Sequence, residues 1–112
     1  MVKEHNNKKC DYSIIIATAA NKESAKEIAK LLVEKRLAAC VQMFPIESIY
    51  LWKENICQDS EITLFIKSKT EMFEKIKTAI LEKHTYEVPE IIQIPITNGL
   101  PEYLKWINDC TN

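Results

Sequence analysis

The residues most able to do chemistry in this sequence lie close together, in the stretch 84–95. His84 provides an imidazole, Tyr86 a phenol, and Glu87 and Glu90 two carboxylates. An imidazole suits copper or zinc, whereas carboxylates suit harder divalent cations or serve as general bases. The pattern predicts a polar site between a helix and a strand, with His84 as the candidate metal ligand.

Each of these side chains also has a purely structural interpretation. His84 would end a helix, where a histidine interacts favourably with the helix dipole and bonds locally. Glu90 could form an ion pair with Lys67, and such a pair can imitate an active site. Lys67 could instead hold a small anion as a point charge. Glu87 and Glu90 are therefore either cation ligands or members of an intersubunit polar network.

Aromatic side chains form a second group of candidates. They could line a small-ligand pocket, but aromatics with polar tips are more often anchors at a protein interface. They are Tyr50, Trp52, Tyr86 and Tyr103. We place them at an intersubunit cleft with the charged residues described above.

The four cysteines do not have the spacing of a metal finger or a C-x-x-C motif. Without a secretory signal, we expect reduced thiols and a cytoplasmic protein. Cys40 lies in an apolar run, where a buried free thiol is common without any function.

Composition excludes several classes of function. Fifteen basic and sixteen acidic residues give a net charge of -1, so the chain lacks the basic footprint of a nucleic-acid-binding domain. The single glycine, Gly99, is too few for a phosphate-cradling loop. No apolar run reaches the roughly 18 residues of a membrane helix, so we expect no direct membrane insertion. The histidines are His5 and His84, so no serine or cysteine has an evident activating base, and we predict a protein that is not an enzyme.

The elements that must position these residues follow from hydrophobic periodicity. We predict a polar, mobile tail over 1–11 and one domain over 12–112. Strands are predicted over 12–17, 37–44, 46–53, 61–67 and 91–96. Helices are predicted from Asn21 to Arg36, from a cap at Thr70 to His84, and from Pro101 onwards. We interpret this order as an α+β, ferredoxin-like β-α-β-β-α-β sandwich with an extra C-terminal helix.

The second face of the predicted sheet should be unusually apolar. In this fold both crossover helices cover one face, so the other face normally alternates towards polar residues. Here the stretch 37–41 has no polar side chain, and Tyr50 and Trp52 share a face. Because a large uncovered apolar face is rare in a monomer, we expect self-association.

Several motifs together resemble the CutA divalent-cation tolerance family. They are EKRLAACV at 34–41, SIYLWK at 48–53, the strand that ends at Ile66-Lys67, HTYEVPEI at 84–91 and YLKW at 103–106. They occur in the family's order and spacing from about Tyr12 to Ile107. The resemblance implies a homotrimer with sheets joined across subunits, a likeness to PII signalling proteins and a link to copper tolerance.

The resemblance also implies that His84 and Cys40 bind a metal. Three positions depart from the family pattern, because Ala17 replaces a cysteine found in some bacterial members and Ala20 and Thr85 each replace a proline. We therefore expect no obligatory cofactor, with copper or another divalent cation as the candidate ligand.

The leading hypothesis is a non-enzymatic homotrimer that binds metal ions or a small ligand at intersubunit clefts. One alternative is a stable structural trimer with incidental metal binding. Another is a PII-like sensor of a small anion near Lys67 and Glu90.

Overall fold

The computed structural model describes residues 10–112. Nearly all of the predicted 1–11 tail lies outside the described residues. The described chain contains β1 (Tyr12–Ala19), α1 (Lys22–Glu34), β2 (Cys40–Trp52), β3 (Asn55–Lys69), α2 (Phe73–Lys83), β4 (Ile91–Pro95) and α3 (Pro101–Cys110). The strands form one antiparallel sheet in the order β2-β3-β1-β4. This arrangement confirms the predicted ferredoxin-like α+β fold with an extra C-terminal helix.

The long β2–β3 hairpin differs from the prediction. The predicted strands 37–44 and 46–53 are a single strand, and the predicted connection 55–60 belongs to β3. The expected break at Pro45 is absent, because Pro45 lies on an edge strand, where proline is tolerated. The turn consists of Lys53 and Glu54, whose φ angles of 50° and 69° suit a two-residue type I′ hairpin.

Helix α1 begins as predicted. Asn21 caps it by accepting a hydrogen bond from the Ser24 amide over 2.8 Å. Its buried stripe packs on the sheet and consists of Ala25, Ile28, Ala29 and Leu32. This face of the sheet contributes Ile15, Leu64 and Ile66, all fully buried.

Helix α2 begins differently, because Thr70 does not cap it. The Thr70 hydroxyl donates instead to the Cys10 carbonyl over 2.6 Å. Thr70–Met72 forms a 3₁₀ turn, and the α-helix starts at Phe73. The helix ends at Lys83, so His84 occupies the position after it, as predicted.

Helix α3 covers part of the second sheet face. Because Ile66 faces the helix-covered core, its neighbour Lys67 faces the opposite side. The Lys67 ammonium lies 5.5 Å from the centre of the Tyr103 ring of α3. The Arg36 guanidinium also donates to the Asp109 carbonyl over 2.8 Å, which holds the helix end to the chain after α1. The second face is thus covered at the Lys67 end.

The rest of the hairpin, residues 46–61, projects beyond β1 and is called the hairpin arm below. Strand β1 ends at Ala19, opposite Ile62, so within residues 10–112 the arm has no strand beside its β3 edge. Its most exposed apolar side chains are Ile49, Leu51 and Ile56, at 70%, 70% and 81% of full exposure. Apolar side chains this exposed in a cluster mark an interaction surface.

Candidate functional site

A groove of about 670 Å³ lies between the hairpin arm and the segment that follows α2. Its acidic lining residues are Glu47, Asp59, Glu61, Glu87 and Glu90. Its aromatic lining residues are Tyr50, Trp52 and Tyr86. Five acidic and no basic side chains line the groove in the described chain. The electrostatic potential of the groove therefore favours cations.

The hairpin register brings polar side chains of β2 and β3 to the groove. Ser48 lies opposite Asp59, and Tyr50 lies opposite Cys57. Side chains two residues apart on a strand share a face, so Asp59 and Glu61 stand beside Ser48 and Tyr50. Strand geometry therefore fixes their positions.

Glu61 is the centre of the hydrogen bonds in the groove. Ser48 Oγ donates to its Oε1 over 2.7 Å, and the Tyr86 hydroxyl donates to its Oε2 over 2.9 Å. These two bonds orient the carboxylate while leaving lone pairs on both oxygens. Glu61 can therefore bind a further donor or a cation without changing its rotamer.

Both tyrosines that donate to carboxylates here hold their protons tightly. The hydrogen bond from Tyr50 to Asp59 is the largest cause that raises the pKa of Tyr50 to about 12. Burial, and then the bond to Glu61, raise the pKa of Tyr86 to about 12. Both phenols therefore remain neutral hydrogen-bond donors at physiological pH.

His84 lies behind the groove with both ring nitrogens engaged. Nε2 lies 2.6 Å from the Thr18 carbonyl, and Nδ1 lies 3.2 Å from the Tyr86 amide nitrogen. A carbonyl only accepts and an amide N–H only donates, so Nε2 donates and Nδ1 accepts. Binding a metal through either nitrogen would break one of these bonds, and the metal-ligand role of His84 stays a prediction.

Cys40 and Lys67 lie far from His84. Cys40 pairs with Lys67 in the β2–β3 register, and Lys67 pairs with Ile14 of β1. His84 contacts Thr18, four residues further along β1, which is roughly 13 Å at the rise of a strand. Within one chain the two predicted metal ligands therefore do not converge.

The same register separates Lys67 from Glu90. Glu90 precedes Ile91, which pairs with Ala17 near the end of β1, whereas Lys67 pairs with Ile14. Ile14 also pairs with Ile94, so Lys67 lies level with the end of β4, whereas Glu90 precedes its start. In the described chain the two side chains form no ion pair, so any pairing between them must join two subunits.

The remaining predicted cleft residues divide between two places. Trp52, Tyr86, Glu87 and Glu90 line the groove, whereas Tyr103 packs against Lys67 at the other end of the sheet. Lys53 lies at the rim, 3.8 Å from a Glu87 oxygen and 5.5 Å from the centre of the Trp52 ring.

Sequence reasoning missed Glu61, Asp59, Ser48 and Glu47. The signal for three of them was alternation, because Ser48 shares one face of β2 with Tyr50 while Asp59 and Glu61 share one face of β3. Glu47 is next to Ser48 and does not fit this alternation. That signal identifies a shared site only once the register between β2 and β3 is known. Without it, residues 55–60 read as a polar loop.

The sequence profile of the CutA1 divalent ion tolerance proteins matches residues 13–110. The chain belongs to the CutA1 family. This confirms the resemblance that the motifs indicated.

CutA1 relatives from distant organisms are similar over most of this chain. The divalent-cation tolerance protein CutA of Thermus thermophilus is 42% identical over 99 residues, covering 88% of this chain and 96% of that protein. The protein CutA of Mus musculus is 43% identical over 100 residues, covering 88% of this chain but 56% of the mouse protein. The chain thus spans little more than half of this animal relative.

Solved CutA1 structures share the fold closely. CutA1 from the psychrotrophic bacterium Shewanella sp. SIB1 superposes with a TM-score of 0.89 at 42% identity, covering 93% of this chain and 98% of that one. A protein from Archaeoglobus fulgidus, described as a periplasmic divalent cation tolerance protein, gives a TM-score of 0.87 at 39% identity. The match covers 88% of this chain and 97% of that one.

Family membership does not indicate a compartment. The Archaeoglobus protein is called periplasmic, and a relative from Arabidopsis thaliana is called chloroplastic. The cytoplasmic location stays a prediction. Among residues 10–112, no helix is both long and apolar enough to cross a membrane.

The donor chemistry of this CutA1 groove fits a hard divalent cation better than copper. Its ligands would be carboxylate oxygens, which suit Mg²⁺ or Mn²⁺, whereas copper favours imidazole and thiolate. No three His, Cys, Asp or Glu side chains of residues 10–112 converge enough to hold a metal. A hydrated cation that needs one or two carboxylates remains compatible with this spacing.

Proposed function

We propose that this CutA1 chain forms a non-enzymatic homotrimer that binds hydrated divalent cations in the acidic groove. The observation that carries the proposal is the groove lining, with five carboxylates and no basic side chain in the described chain. A small anion, the alternative ligand, would be repelled there. The names of the relatives, divalent-cation tolerance proteins, support the same ligand class.

The hairpin arm supports self-association. Ile49, Leu51 and Ile56 are largely exposed in one chain, and burying each would stabilise an assembly by about 1.5–3 kcal/mol. The outer edges of β2 and β4 are also open in the described chain. Because these two edges differ, pairing one with the other is a heterologous contact, which closes into a ring when its rotation returns to the first subunit. A ring of three agrees with the assembly that the family resemblance implies.

The trimer also gives Lys67 and Glu90 a role. They cannot meet within one chain, and the described chain offers Lys67 no carboxylate partner. We place Lys67 of one subunit against Glu90 of its neighbour, at the margin of the groove. The cation site and the interface would then share residues.

Calorimetric titration tests the binding site. Mn²⁺ and Mg²⁺ should bind wild type with a saturable isotherm, and Glu61→Gln should weaken the affinity about 10-fold or more. Glu102→Gln, which removes an exposed carboxylate from the first turn of α3, is the matched control and should bind like wild type. Equal affinity in wild type and Glu61→Gln would refute the groove as the site.

A structural trimer with incidental metal binding is the second candidate. The exposed apolar hairpin arm favours it, because that surface requires an assembly whether or not a cation binds. The same titration separates the two functions. Weak, non-saturable binding that no groove variant alters would favour the structural trimer.

A further inference from the structure

The segment 84–90 joins α2 to β4 without helical or strand structure. It nevertheless carries Tyr86, Glu87 and Glu90 to fixed places in the groove. A connection of this kind needs specific bonds to keep one conformation, because it has no backbone ladder of its own. Three side-chain contacts hold it in the described chain, and they are made by His84, Tyr86 and Glu87.

His84 makes the contact nearest the start of the segment. Its Nε2 donates to the Thr18 carbonyl over 2.6 Å, near the end of β1. Its Nδ1 accepts from the Tyr86 amide over 3.2 Å. The imidazole therefore uses one neutral tautomer to bridge a rigid strand and the segment itself.

The bridge leads directly to the groove. The Tyr86 ring packs edge-on against the imidazole, with 4.5 Å between ring centres and 63° between planes. The phenol then reaches Glu61 over 2.9 Å. Thr18, His84, Tyr86 and Glu61 thus form one continuous chain of contacts from β1 to β3.

We infer that His84 is a positioning residue, which fixes Tyr86 on Glu61 and so shapes the groove, and that it is not a metal ligand. Ligation would occupy a ring nitrogen that the bridge already uses, and it would release either Thr18 or Tyr86. The inference rests on the proposed function only for its cation-binding readout. Its structural readouts apply whether or not the groove binds a cation.

Two substitutions each preserve one of the two hydrogen bonds that His84 makes. The side-chain carbonyl of His84→Asn can accept from the amide two residues on, as in an Asx turn, and so preserves the bond to Tyr86. The longer amide of His84→Gln can donate to the Thr18 carbonyl but is poorly placed for Tyr86. His84→Ala removes both bonds. Gln93→Ala is the control, because it removes a 3.0 Å bond to the Thr70 carbonyl at the other end of the sheet.

Nitrogen NMR of wild-type protein and amide hydrogen exchange test the inference. The His84 ring should be neutral with its proton on Nε2. The Tyr86 amide should exchange about 10-fold faster in His84→Ala and in His84→Gln, and near the wild-type rate in His84→Asn and in Gln93→Ala. Mn²⁺ affinity should fall about 10-fold in His84→Ala, as expected when a partner that orients a ligand is lost.

A proton on Nδ1 would overturn the inference, as would unchanged Tyr86 exchange in His84→Ala. The first result needs only wild-type protein, so poor folding of a variant cannot obscure it. If wild type binds no Mn²⁺, the proposed function fails alone, while the tautomer and the exchange rates still decide the role of His84.

Discussion

The Tyr86 hydroxyl donates a hydrogen bond to Oε2 of Glu61 over 2.9 Å. This bond joins the segment after α2 to the hairpin arm, two parts of the chain that no strand pairing connects. It also leaves free lone pairs on Glu61, which lines the groove. The hydroxyl that holds the segment in place therefore also orients the carboxylate that we propose as the main cation ligand.

Disrupting the hairpin arm should weaken the trimer. Ile56 is 81% exposed in one chain and is proposed to be buried by a neighbour, so Ile56→Lys should remove about 1.5–3 kcal/mol per interface. Sedimentation at decreasing concentration should show dissociation in the variant first. Leu81→Lys, on the exposed side of α2 at 48%, is the control and should sediment like wild type. An unaltered trimer in Ile56→Lys would show that the arm is not at the interface.

Exchanging charges should reveal the contact between Lys67 and Glu90. Lys67→Glu and Glu90→Lys should each destabilise the trimer, because like charges then face each other across the interface. The double variant should recover most of the loss, since the opposite charges are restored with their places exchanged. Thermal unfolding of the four proteins measures this coupling. Simple addition of the two losses would mean that the residues do not meet.

Stability above pH 10 should depend on Tyr86. The pKa of Tyr86 is about 12 in the folded protein and 10.0 for an ordinary tyrosine, so the folded state holds this proton more tightly. Its contribution to stability is complete below pH 10 and is lost as the pH rises towards 12. Urea unfolding across this window should show a smaller decline for Tyr86→Phe than for wild type. Parallel declines would contradict the part-buried bond to Glu61.

Removing the Cys40 thiol should leave cation binding intact. Cys40 lies opposite Lys67, at the far end of the sheet from Thr18 and the groove. Cys40→Ala should therefore match wild type in a Mn²⁺ titration made under reducing conditions. A marked loss of affinity would restore Cys40 as a ligand and move the site to the Lys67 end.

Local signals in the sequence were enough to predict the elements that local chemistry controls. The cap at Asn21, the helix end before His84 and the start of α3 at Pro101 are examples. Pro45 misled the prediction, because proline breaks a central strand but is tolerated at an edge, and edge position is a property of the whole sheet. The turn at Lys53 and Glu54 lacked the glycine or asparagine that usually marks a type I′ hairpin.

The candidate site was harder to predict, because it depends on register. Tyr86, Glu87 and Glu90 stood out as one polar stretch, and the structure places them together in the groove. Glu61 follows several other polar residues in the sequence, and only the hairpin register places it beside Ser48. The separation of Lys67 from Glu90 also depends on register, because Lys67 lies level with the end of β4 and Glu90 precedes its start.

The most direct test of cation binding in the groove is an anomalous difference map from a crystal soaked in Mn²⁺. The strongest peak should lie in the groove within bonding distance of a Glu61 oxygen, with the Tyr86 hydroxyl still hydrogen bonded to that carboxylate. A peak at His84 Nδ1 or at Cys40 Sγ, with no density at Glu61, would contradict the proposal.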